Sequence, residues 1–155
     1  MVSLKRRRTG HQYYAKTDGG FTLIELLIVI AIIGILAGIA VPLYLGQRTK
    51  AATTEATSNL QALRLLEEQY FAENACYYRS SGNCANATLT GVSNIQAFLP
   101  GFKPGSDNQL NFNYQVVISG TPSSSAFTAI ATGKSGKIVS GSKFCLDQNN
   151  NTQCP

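Results

Sequence analysis

Hydrophobic positions divide the chain into zones of different period. From Leu26 to Leu45 the residues read LLIVIAIIGILAGIAVPLYL, with no charge between Glu25 and Arg48. At ~1.5 Å rise per helical residue such a run spans ~30 Å, the hydrocarbon thickness of a bilayer. Beyond Arg48 the helical period continues, but only one face stays apolar: Ala52, Ala56, Leu60, Leu63, Leu66 and Tyr70 recur at spacings of three and four. Thr53, Thr54, Glu55, Ser58, Asn59, Arg64, Glu67 and Glu68 fill much of the remainder, and with Glu73 the acids are expected on the exposed side. The pattern predicts one helix from about Thr22 to Ala72, longer than typical globular helices.

The period then changes. Residues 74–108 are rich in Gly, Ser, Asn and Pro and read as a connecting loop, anchored on the core by Ile95, Phe98, Leu99 and Phe102. From Leu110 the pattern alternates, with Leu110, Phe112, Tyr114 and Val116 on one side and Asn111, Asn113 and Gln115 on the other, as in a half-buried antiparallel strand. A loop at 120–125, a strand over 126–132, a turn at 133–136 and a strand from Lys137 to Leu146, broken at Gly141, complete the expectation. The fold class is α+β: one long N-terminal helix, apolar then amphipathic, packed on an antiparallel sheet of three to four strands. Tyr70, Phe71, Tyr77 and Tyr78 read as head core rather than an electron path.

Charge changes the picture at the N-terminus. The net charge is +5, but the first 20 residues hold Lys5, Arg6, Arg7, Arg8 and Lys16 against Asp18, leaving +1 for the rest. The body therefore has no basic stripe, and no specific nucleic acid is expected as a partner. A basic cluster before an apolar run keeps the N-terminus cytoplasmic and sends the C-terminal part across the membrane. The run exceeds the apolar core of a secretory signal peptide, about 7–15 residues. A signal-anchored monomer with a ligand-binding head stays open as a reading, with Glu25 then merely tolerated at the headgroup level.

Glu25 follows Phe21, Thr22, Leu23 and Ile24 at the start of the apolar run. A carboxylate in lipid costs about 2.5–3.5 kcal/mol at a helix centre, less near an interface. A cation to meet it arises if the chain is cut after Gly20: the new α-amine on Phe21 is charged near neutral pH. In a neighbouring subunit that amine would neutralise Glu25 and fix axial register, because breaking a buried pair is costly.

The stretch Gly19-Gly20-Phe21-Thr22-Leu23-Ile24-Glu25-Leu26-Leu27 resembles the signature of type IV pilins and pseudopilins. The resemblance covers about residues 16–50. It implies that a prepilin peptidase cuts between Gly20 and Phe21 and methylates Phe21, and that Glu25 serves subunit assembly. It further implies domains at 1–20 (cleaved leader), 21–47 (transmembrane and filament-core helix) and 48–155 (extracytoplasmic head, with its αβ-loop at about 74–108 and the sheet and C-terminal disulfide region at 109–155). Gly34, Gly38 and Pro42 read either as close packing through small residues or, by the resemblance, as a stretch that loses helicity on assembly. The implied partners are other copies of the chain, minor pilins, the prepilin peptidase, the pilus or secretion assembly machinery and the inner membrane. The implied function is a structural subunit of a type IV pilus serving motility, adhesion or DNA uptake, with a type II secretion pseudopilin as the alternative. The subunit would lie in the inner membrane before assembly and in an extracytoplasmic filament after it.

The four cysteines, Cys76, Cys84, Cys145 and Cys154, all follow the apolar run, and an even number there suggests disulfides in an oxidising compartment. Three pairings are open; pairing neighbours, Cys76–Cys84 and Cys145–Cys154, is the simplest. His11, the lone histidine, sits in the basic leader, which argues against a Cys/His metal site. No nucleophile–base set or phosphate loop is present, so neither catalysis nor a cofactor is expected. Asp147, Asn149 and Asn151 have alternating oxygen ligands but lack the glycine and later glutamate of a calcium loop, so a turn is expected there and metal is not. Asn86-Ala87-Thr88 and Asn150-Asn151-Thr152 match glycosylation sequons, which are common by chance.

Overall fold

The computed structural model describes residues 19–121 and 124–154. The expectations for residues 1–18, including the basic cluster and His11, lie outside the described residues. Helix α1 runs from Leu23 to Asn74, 52 residues. The Thr22 hydroxyl starts it by accepting the Glu25 backbone N–H at 3.2 Å, leaving one fewer unpaired amide in the first turn. Gly34, Gly38 and Pro42 all lie within continuous helix.

The chain forms two compact units, one ending at Ala40 and one beginning at Val41. In the first, the described residues are the start of α1 and the four before it. All their large apolar side chains are exposed, from Val29 at 46% to Phe21 at 86%. The apolar surface continues to Leu45, and among the described residues α1 is the one helix long and apolar enough to cross a membrane.

The second unit is the head. Its main sheet has four antiparallel strands in the order β3-β4-β5-β6. These are Ala87–Thr90, Phe112–Thr121, Ser124–Gly133 and Lys143–Asp147. β4 and β5 form a long hairpin paired from Phe112↔Gly133 to Thr121↔Ser124. Alternation along β4 turns Phe112, Tyr114, Val116 and Ile118 inward, where they meet Phe127, Ala129 and Ala131 of β5 and Leu146 of β6. Ala52, Ala56, Leu60 and Leu63 of α1 close this core. Burying each leucine contributes on the order of 1.5–3 kcal/mol.

Three departures from the sequence reading matter. The segment expected to be a loop, 74–108, carries structure: a ribbon of β1 (Arg79–Ser80) and β2 (Asn83–Cys84), the edge strand β3, and helix α2 over Val92–Phe98. The ribbon turns at Ser81 and Gly82, both with positive φ, as a two-residue hairpin loop demands. The last strand starts at Lys143, not Lys137. Residues 134–142 coil into successive turns instead, closed by Lys137 N–H to Lys134 O and Ser140 N–H to Lys137 O. Those turns press the Val139 carbonyl against Gly133, where an added Cβ would lie 1.8 Å from the oxygen. Finally, Leu66 and Tyr70 are only partly buried, and Glu67 takes the inward place between them.

Candidate assembly site

Gly20 and Phe21 lie just before α1, outside regular secondary structure, and Phe21 is the most exposed large apolar residue among the described residues. Glu25 lies in the first turn of the helix, exposed, with apolar side chains before and after it. The structure thus presents a carboxylate at the start of a bare apolar helix, four residues after the candidate new terminus. Such a helix end can associate with lipid or with like helices.

The head positions its polar groups for structure. Glu55 is half-buried and accepts from the Asn111 backbone N–H at 3.0 Å, the Asn111 amide at 2.6 Å and the Tyr114 hydroxyl at 3.4 Å. The Asn59 amide donates to the same hydroxyl at 2.8 Å. Burial pushes the Tyr114 hydroxyl up to about 12, with Glu55 adding to the rise and Asn59 opposing it. Tyr114 therefore stays neutral and able to donate. Tyr77 behaves alike: burial first, then its 3.0 Å bond to Glu68, raise it to about 12. Rings pack around this junction, with Tyr70 and Phe98 centroids 4.5 Å apart and Tyr77 and Phe127 at 4.9 Å.

Glu67 corrects the expectation that the acids of α1 face solvent. It is fully buried, and neither carboxylate oxygen has a hydrogen-bond partner. Burial, followed by repulsion from Glu68, pushes its carboxyl up to about 8. Its phase was visible in the sequence, since 52, 56, 60, 63 and 67 make one stripe; residue polarity masked it. Glu55 departs as well, toward Asn111, while Glu73 is exposed.

Cys76 bonds to Cys84 and Cys145 to Cys154, with Cα atoms 5.9 and 5.1 Å apart. The second bridge closes the turn that carries Asp147, Asn149 and Asn151. There the Asp147 Oδ1 accepts the backbone N–H groups of Asn149 and Asn151 at 2.9 and 2.8 Å, and the Asn151 side chain accepts from Gln153. These oxygens cap a turn. Arg64 reaches from α1 to the Gln148 carbonyl at 3.3 Å, tying that turn to the helix. Among the described residues no three His, Cys, Asp or Glu side chains gather as a metal set.

A helix whose apolar first half is bare, and whose second half docks on a small antiparallel sheet, defines a pilin-like α+β protein. Comparison with known proteins sharpens that class. The family model for the prokaryotic N-terminal methylation motif matches residues 16–41. The type IV major pilin protein PilA of Myxococcus xanthus is 48% identical over 58 residues, 37% of this chain and 26% of that one. A fimbrial protein of Pseudomonas aeruginosa is 48% identical over 58 residues, 37% and 38% of the two chains. The type II secretion system core protein G of Dickeya chrysanthemi is 40% identical over 58 residues, again 37% and 38%. The chain thus matches well under half the length of these relatives. Its N-terminal third is thus similar to those of type IV pilins and of type II secretion pseudopilins. No solved structure is significantly similar to the chain.

Proposed function

We propose that the chain is the precursor of a type IV pilus subunit. The observation that carries this reading is the coincidence, inside the matched motif, of an exposed apolar helix with Glu25 in its first turn and Gly20-Phe21 just before it. Cleavage after Gly20 and methylation of Phe21 produce a mature N-terminus whose amine meets Glu25 of another copy. Apolar segments over 21–47 then bundle as the filament core, and heads over 48–155 form the surface. Gly34, Gly38 and Pro42 give that segment its capacity to extend. The role is structural, and the subunit waits in the inner membrane before joining an extracytoplasmic filament.

The deciding measurement is intact mass and N-terminal sequence of protein recovered from native cells. A chain beginning at Phe21 and one methyl heavier than its sequence is expected. A chain retaining residues 1–20, in cells with an active prepilin peptidase, overturns the reading in favour of a signal-anchored protein. The similarity to core protein G supports a second reading, a pseudopilin of type II secretion. Deleting the gene separates the two: loss of surface pili supports the first, loss of exoprotein release with pili intact the second.

A further inference from the structure

The base of the head combines charge and apolar surface in a way that the core and the filament helix leave unused. The apolar run ends at Leu45, and the first charges beyond it are Arg48 and Lys50, both exposed. At ~1.5 Å per residue they stand ~4.5 and ~7.5 Å past the run, the depth of a headgroup layer roughly 5–7 Å thick. The turn after β5 lies at the same level. Arg48, Ala51, Ala52, Asn111 and Ile138 line one shallow groove. The Lys134 backbone N–H holds that turn there by donating to the Asn111 carbonyl at 2.9 Å.

Among the described residues, Ile138 and Leu65 are the large apolar side chains exposed beyond Leu45, and of the two Ile138 lines this base. Lys137, beside it, is exposed. The acids that touch this region are already paired: Asp107 is exposed but held by Lys134, and Glu55 is half-buried. Asp107 pairs with Lys134 at 3.1 Å, and Glu55 accepts from Asn111. Arg48, Lys50 and Lys137 are thus exposed cations near the level of this apolar tip, Arg48 in the groove itself.

We propose that this base seats on the anionic phospholipid headgroups of the bilayer that holds the unassembled subunit, with Ile138 dipping into the interface and the three cations meeting lipid phosphates. Basic residues close to an anionic leaflet each gain from its negative potential, and an apolar tip adds interfacial burial. Extraction into a filament must break this seat. The inference rests on the membrane-held subunit reading above.

The sequence contains no tryptophan, so Ile138→Trp introduces a lone indole reporter, and Leu65→Trp supplies a control on exposed surface away from the base. The full chain is reconstituted into vesicles of phosphatidylethanolamine and phosphatidylglycerol, or of phosphatidylcholine alone, each with a trace of headgroup-nitroxide lipid. Flotation first establishes insertion; a chain that fails to float with vesicles overturns the membrane-held reading itself. With insertion established, the expected result is blue-shifted emission and strong quenching at position 138 in the phosphatidylglycerol vesicles. Quenching there should fall at least about two-fold in ~1 M salt, where screening acts within ~3 Å, or when Lys50→Gln and Lys137→Gln are combined. The indole at position 65 should stay red-shifted and unquenched. Equal quenching at 138 in both lipids, or none, overturns the seat while leaving insertion standing. A blue shift that tracks protein density rather than lipid charge assigns the base to a second copy of the chain and overturns it too.

Discussion

Single residues set the head's response to pH. Glu67 is an acid whose folded form holds its proton more tightly than the unfolded chain does, about 8 against an ordinary 4.5. Between those values the folded state carries more protons than the unfolded one, so its stability falls as pH rises, and levels off above about 8. The full span is on the order of 3–5 kcal/mol, at roughly 1.4 kcal/mol per unit. Thermal unfolding of the Glu67→Gln variant should therefore match the parent near pH 4 and exceed it at pH 9. Equal curves at pH 9 would mean that Glu67 finds water or a cation in the folded head. At Gly133 the constraint is steric rather than electrostatic. Gly133→Ala drives a methyl into the Val139 carbonyl and should cost at least about 1–3 kcal/mol, read as a lower unfolding midpoint.

Elements differ in how plainly their residues announce them. The long helix and the inward side of β4 were legible because period alone decides them: Ala52, Ala56, Leu60 and Leu63 on one face, Phe112, Tyr114 and Val116 on another. All seven are buried. β3 was not, because Ala87-Thr88-Leu89-Thr90 is a short alternation among glycines and asparagines, and what makes it a strand is pairing with β4, from Ala87↔Ile118 to Thr90↔Gln115. The turns after Gly133 escaped for the opposite reason. Lys137–Val139 has strand-like side chains, but Gly136 and Gly141, both at positive φ, bend the chain away from the ladder. Of the candidate assembly site, Glu25 was legible as a charge interrupting an apolar run; the inward Glu67 was hidden by its own polarity. The C-terminal bridge offers an element-level test. Replacing both Cys145 and Cys154 by serine should lower head stability by about 2–3 kcal/mol in chemical denaturation, and hydrogen exchange should speed up over 148–154.

For the molecule as a whole, the proposed function turns on a relation between copies. On the proposed pilus-subunit reading, Glu25→Ala should reach the membrane and be cleaved at Gly20, yet give few filaments in sheared-fraction immunoblots, because the proposed mature amine would then lack its carboxylate. Normal filament yield from that variant would remove the charge pair from the assembly mechanism and leave apolar packing of 21–47 to set register alone. Head stability should be unchanged, since Glu25 lies in the first compact unit and the core in the second.

Both disulfides are local, joining cysteines eight and nine residues apart. Neither runs from α1 to the four-stranded sheet. In the proposed filament, axial tension would enter each head through α1, whose noncovalent ties to the sheet are the stripe Ala52–Leu63, the Glu55 bonds to Asn111 and the reach of Arg64 to Gln148. The weakest mechanical link is consequently a noncovalent seam. Under overload the helix is therefore expected to peel from the sheet with both sulfur bridges still closed.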